Sequence, residues 1–198
     1  MNKLFSFILA SFLILGTSLS FGQEEKVDTN PVTRSYVETA EKNIYYEQAV
    51  ILKGLLAERG LPVNVKVVVK LLKAIDRNIP KFFPNGPFTR NDFIALAWLE
   101  SALHQHENGT HGEKGIFQIM PDEFRDYGIT DNFYDIDINT KMCFRVLKGK
   151  YKRWHEYKKA IIAYNGVVHL KSGQWSEKYW RAFYKRRKAV DLALGPKI

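Results

Sequence analysis

Thr89-Arg-Asn-Asp-Phe-Ile-Ala-Leu-Ala-Trp-Leu-Glu-Ser101 decides how this chain is read. Thr89 with Asp92 three residues on is an N-cap signal, a variant of the capping box, and predicts a helix from Arg90 to about Leu103. Phe93, Leu96, Ala97 and Glu100 fall at i, i+3, i+4 and i+7, so they share one face of that helix. Glu100 is the charged member of an otherwise apolar stripe. Facing a core or a cleft, its ionised form is poorly solvated, and burial pushes a carboxyl pKa upward. A carboxylic acid kept protonated near neutral pH is what a general acid needs. The bland reading of the same geometry turns Glu100 into solvent at the helix end.

Two later segments bear on that choice. Gly115-Ile-Phe-Gln-Ile-Met-Pro121 places Gln118, a polar side chain, inside an apolar pentad. Gly112 and Gly115 bracket a loop in which backbone can approach a ligand closely. A buried amide needs partners, and a ligand hydroxyl, the Glu100 carboxyl or local backbone would each serve. Pro121 suits the first position of a following helix. Ala163-Tyr-Asn-Gly166 follows the helix-forming Ala160-Ile-Ile and ends it with Asn-Gly, a C-cap signature that by itself says only where a helix stops.

Outward from these segments, the first residues set an address. Lys3 is the only charge before a largely apolar run from Leu4 to Gly16, and small residues lead to Gly22 before the polar Gln23-Glu-Glu-Lys. This is the pattern of a signal peptide over residues 1–22, and the apolar run is short for a membrane span, which needs about 20 residues. A retained N-terminal anchor is the other reading of the run. Export to the periplasm or cell envelope is expected. Cleavage after Gly22 leaves 176 of the 198 residues, enough for one domain with a sizeable core. Cys143 is the single cysteine, so packing rather than an intrachain disulfide must hold the fold. The net charge of +9 favours anionic partners, and for an exported protein the wall or membrane surface is a better match than nucleic acid. A monomer is expected, and no cofactor is implied.

Residues 23–36 are mostly polar and aperiodic, which predicts a flexible lead-in. Apolar residues at helical spacing then predict a helix from Val37 to about Glu58, ended by Arg59-Gly60-Leu-Pro62, and a second from Pro62 or Asn64 to about Arg77. Val-rich 65–69 would also suit a strand. Ile79-Pro80 through Pro87 reads as a turn-rich connector. His104, His106, His111 and Glu107 offer enough imidazole for zinc, yet lack the helical i, i+4 spacing of a strong metal motif, so a polar surface loop is the expectation and no metal ligand is assigned. The basic, aromatic stretch Tyr179-Trp-Arg-Ala-Phe-Tyr-Lys-Arg-Arg-Lys188 predicts a helix with Trp180, Phe183 and Tyr184 on its inner face. Such a stretch also suits a wall or membrane surface. It carries no recognisable nucleic-acid-binding motif.

Glu100-Ser101, then Gly115 to Pro121, then Ala163 to Gly166 together resemble, in that order, the motifs of the soluble lytic transglycosylases, lysozyme-like enzymes that cleave peptidoglycan. The resemblance covers about residues 65–170, with Glu100 and Gln118 18 residues apart as the family leads one to expect. It implies a mostly α, lysozyme-like single domain over residues 37–198, with at most a very small sheet. By resemblance, Glu100 would be the catalytic acid, and Ser101, Gln118, Tyr164 and Asn165 would support it or the bound glycan. Phe117 would stack on a sugar face or pack into the core. Four features depart from the pattern. Ile116-Phe117 replaces Leu-Met, the stretch His104 to His111 replaces one of small residues, Glu113 stands where a small residue is usual, and Gly166 directly follows Asn165.

The implied reaction cleaves the MurNAc–GlcNAc β-1,4 bond of glycan strands and leaves 1,6-anhydro-MurNAc ends. Ordinary glycosidases use two carboxylates, and the matched segments supply only Glu100, so it would serve as acid and then as base. Glu107, Glu113 and Asp122 are candidates for a second carboxylate. If Glu113 held a water opposite Glu100, the enzyme would be a hydrolytic muramidase. A wall-binding component without turnover is the remaining alternative.

Overall fold

The computed structural model describes residues 31–166 and 176–195. Residues 1–22 and most of the expected lead-in lie outside them. Seven helices follow in order: α1 (Pro31–Ala57), α2 (Val65–Phe82), α3 (Arg90–Ser101), α4 (Pro121–Arg125), α5 (Ile136–Trp154), α6 (Tyr157–Tyr164) and α7 (Glu177–Leu194). Among the described residues there is no sheet, only the isolated bridges Asn108 to Lys114 and Lys114 to Ile119. The mostly helical, lysozyme-like architecture expected from the sequence is what the chain adopts.

Helix α1 starts earlier than expected, at Pro31 within the predicted lead-in, where proline's missing N–H costs nothing in a first turn. Its Ala49, Leu52 and Leu56 are fully buried. Helix α2 begins after Asn64, whose side chain accepts from the Lys66 N–H at 2.9 Å. The valine-rich segment is helical, because Val68, Leu71, Leu72 and Ile75 make one buried stripe. The predicted connector at Ile79-Pro80 is a correction, since α2 runs through Pro80 to Phe82. Proline in a last turn removes one backbone bond. Aromatic packing offsets that loss: Phe82 lies 5.6 Å from Phe144 and Phe83 lies 4.8 Å from Phe88, ring centre to ring centre.

Helix α3 is the axis of the molecule. Phe93 through Trp98 are all buried, so the helix is covered on every side rather than along the single stripe that the spacing suggested. Phe93 stacks on Phe144 of α5 at 3.8 Å and 8°. The first turn is pinned by polar contacts. Asp92 accepts the Thr89 N–H at 2.6 Å, the Tyr157 hydroxyl of α6 at 2.5 Å and the Arg187 guanidinium of α7 at 2.7 Å. Asn91 donates to Asp191 at 2.7 Å and to the Gly195 carbonyl at 2.9 Å. A buried carboxylate with three donors is held in one place. The C-terminal half of α7 is thereby set against the start of α3, and the far end of α3 carries Glu100.

Candidate active site

Two successive left-handed residues, Ala102 (φ 52°) and Leu103 (φ 66°), end α3 just past Glu100 and turn the chain away from the helix axis. The Glu100 side chain is left half-buried at one end of a cleft of about 380 Å³ that is also lined by Gln118, Tyr164, Asn165 and Glu113. Helix α7 faces it from the other side. The Tyr179 hydroxyl donates to Glu100 Oε1, and the Arg186 guanidinium lies close enough to act on its charge. Burial is the largest influence and raises the Glu100 pKa. The Tyr179 bond lowers it, the Glu113 charge raises it and Arg186 lowers it, for a balance of about 7. Tyr179 itself is held well above the ordinary tyrosine range by burial and by Glu100, so it stays protonated as a donor.

The wall of the cleft is a loop clamped from below. Asn139 of α5 is fully buried and accepts the Phe117 N–H at 2.9 Å, while its amide donates to the Lys114 and Phe133 carbonyls, each at 2.9 Å. A side chain at Gly115 would put a Cβ 2.5 Å from that amide, and its φ of 78° also favours glycine. Tyr164 of α6 donates to the Phe117 carbonyl at 2.9 Å, tying the end of α6 to the same loop. Gln118 takes a left-handed φ of 50°, and its Nε2 donates to the Gly115 carbonyl at 2.8 Å and the Glu107 carbonyl at 3.2 Å. Backbone therefore satisfies the amide nitrogen, and the Gln118 oxygen rests beside Gly109, 2.6 Å from where a Cβ there would stand.

Of the residues singled out in the sequence, Glu100, Gln118, Tyr164 and Asn165 meet at the cleft. Ser101 and Phe117 do not. Ser101 is 6% exposed, and its hydroxyl donates to the Ile116 carbonyl at 2.7 Å, which fastens the loop to α3 and leaves nothing for a glycan. Phe117 is 0% exposed, so its ring packs in the core and cannot stack on a sugar. The histidines are engaged separately. His104 contacts Glu107 at 3.6 Å and the Pro62 carbonyl at 2.9 Å, and His111 contacts Glu113 at 3.3 Å. Among the described residues no three His, Cys, Asp or Glu side chains gather as for a metal.

Two groups at the site were not assigned from sequence, Tyr179 and Arg186. Their signal was the spacing Tyr179, Phe183, Arg186 and Val190, at i, i+4, i+7 and i+11, which sets one α7 face toward α3. Phe183 and Val190 are indeed fully buried, while Tyr184, expected inside, is 46% exposed and stacks on Trp180 at 5.6 Å. Removing the Tyr179 hydroxyl tests the pairing. Because its hydrogen bond favours the ionised carboxyl, Tyr179→Phe raises the Glu100 pKa above about 7. A hydrogen bond to a charged group is worth about 1.5 kcal/mol or more, or about one pH unit. The Glu100 titration followed by NMR should move upward by that much, and a midpoint left in place would rule the pairing out.

Residues 89–186 match the family model described as the transglycosylase SLT domain. The matched segment opens at Thr89, the residue preceding α3, and closes at Arg186, so it takes in every group just described at the cleft. No curated protein and no solved structure matches the chain.

Proposed function

Because the chain belongs, over residues 89–186, to the SLT family of glycan-cleaving lytic transglycosylases, we propose that it is an exported peptidoglycan lytic transglycosylase with Glu100 as its one catalytic acid and base. The observation that carries this reading is Glu100 itself: a carboxyl with a pKa of about 7, held by the Tyr179 phenol, at the end of a cleft lined by Gln118, Tyr164 and Asn165. A group so poised can give up a proton and take one back at the same pH.

Protonated Glu100 donates to the oxygen of the MurNAc–GlcNAc β-1,4 bond, and the GlcNAc side leaves with that proton. Positive charge at the muramic C1 is met by the substrate's own 2-acetamido group. Ionised Glu100 then takes the proton of the C6 hydroxyl, whose oxygen closes on C1. The product is a 1,6-anhydro-MurNAc end, and no water is consumed. Tyr179 and Arg186 stabilise the carboxylate in the interval between the two proton transfers. Glu100 thus loses no more than one proton at a time. The cationic surface suits retention on an anionic wall or membrane.

Mass spectrometry of digested peptidoglycan tests the reading. Anhydro-muramyl ends are the expected product. Only reducing ends would make the protein a lysozyme, and an intact glycan would make it a wall-binding component.

A further inference from the structure

The cleft that holds Glu100 is continuous with a second cavity of about 280 Å³, since Glu123, Val146 and Lys150 line both. The extension adds Tyr127, Arg145, Gly149 and Arg153. Three cations, Arg145, Lys150 and Arg153, thus stand against one carboxylate, Glu123. Among the described residues none of the three forms an ion pair. Arg145 lies 4.1 Å over the Tyr127 ring, and its Nη1 donates to the Met142 sulfur at 3.8 Å. Arg153 lies 5.2 Å from the centre of the Trp154 ring. A concave site lined by cations without counter-charges gathers anions.

Gly149 gives a second, independent sign. It lies inside α5, where glycine is less stable than alanine, so the position needs a reason. Packing is not that reason, because a Cβ at Gly149 would meet nothing within 4 Å. Nor is backbone shape, since Gly149 keeps the negative φ of an ordinary helix. Arg145 and Arg153 stand one turn to either side of it, on the same face. The missing side chain therefore leaves a gap in the extension, flanked by two guanidinium groups.

We infer that this extension takes the acidic peptide stem borne by the glycan, and that the enzyme selects strands whose stems carry free carboxylates. The inference rests on the glycan-cleaving reading above and names the form of substrate preferred. The sugar rings of a peptide-bearing strand are uncharged. Its carboxylates lie on the peptides joined to the muramic lactyl groups, beyond the sugar itself. A strand seated at Glu100 thus needs a side cavity, open to the cleft and cationic, to receive them. Gly149 makes room for the peptide, and Arg145, Lys150 and Arg153 pair with its carboxylates.

Two soluble strand preparations test this, one with free stem carboxylates and one with them amidated, both free of phosphate polymers. Glu100→Gln protein, which should bind without cutting, should hold the acidic strands at least about fivefold more tightly at low salt. That margin suits two or three part-exposed ion pairs, and high salt should erase it. Arg145→Gln combined with Arg153→Gln should bring the ratio to about one, and in the active enzyme the loss should fall on KM rather than kcat. Gly149→Leu should raise Tm by about 1–4 °C through better helix propensity, yet weaken binding of both strands by filling the gap. Unimpaired binding by Gly149→Leu would overturn the inference. Equal affinity of the Glu100→Gln protein for both strands would also overturn it and leave the transglycosylase reading intact. Acidic strands that are preferred but never cut by the wild type would sink that reading and keep the groove. Should the double variant fail to fold, the salt dependence and Gly149→Leu decide the matter.

Discussion

Glu100→Gln should abolish glycan cleavage, with kcat falling about a thousandfold or more. General acid–base catalysis is worth about 10² to 10⁴ in rate, and one side chain performs both halves of it here. A thousandfold loss is about 4 kcal/mol of barrier. Glutamine keeps the shape and can still accept from Tyr179, so the cleft should continue to bind glycan. The same substitution should stabilise the fold in alkaline solution. Glu100 has a folded pKa of about 7 against an ordinary 4.5, so the native state binds more protons than the unfolded chain between those values. Stability contributed by the neutral acid is complete below about pH 4.5 and is lost as pH rises through 7, by at most roughly 3 kcal/mol. Melting curves at pH 5 and pH 8 check this. The Tm of Glu100→Gln should exceed the wild type at pH 8 and match it more closely at pH 5, and a variant that remains active would remove Glu100 from the chemistry.

Phe144→Ala is the packing substitution with the largest expected cost, about 3–5 kcal/mol. Phe144 is fully buried, lies face to face with Phe93 at 3.8 Å, and also meets Phe82 and Phe83 at 5.6 and 6.0 Å. Its loss opens a cavity beneath α3 and removes the contacts that carry α2 past Pro80. Calorimetry should show Tm lower by about 6–20 °C, given the roughly 2–4 °C that each kcal/mol shifts a domain of this size. Phe144 does not touch the cleft, so the folded variant should keep the wild-type pH profile. A cost under about 1 kcal/mol would mean that the aromatic cluster does not hold α3 in place.

Much of the site could be read from the sequence because its parts are local. The capped start of α3, the glycine-bracketed loop and the Asn-Gly stop each leave a signature within a few residues, and these segments supply Glu100, Gln118, Tyr164 and Asn165. What the sequence obscured was long-range. Pro80 looked like a break because no local signal tells that Phe82 and Phe83 are drawn into a core built by Phe88, Phe93 and Phe144. Ser101 and Phe117 sit beside site residues in the chain, yet a helix end and a tight loop turn neighbouring side chains in opposite directions. Burial of Ser101 and Phe117 follows from that turn. Tyr179 was quoted among aromatic and basic residues, but its pairing with Glu100 depends on how α7 crosses α3, which burial of Phe183 and Val190 and the polar contacts of Asn91 and Asp92 set together.

Glu100 and its phenolic donor stand 79 residues apart. The acid, the cleft wall and the clamp at Asn139 all precede α7, the last described helix, which alone brings Tyr179 and Arg186. A polypeptide truncated before Glu177 would lack Tyr179 and Arg186, the two groups that lower the Glu100 pKa. The balance that holds this acid near neutrality is therefore completed late, once residue 186 has been made and its helix has docked.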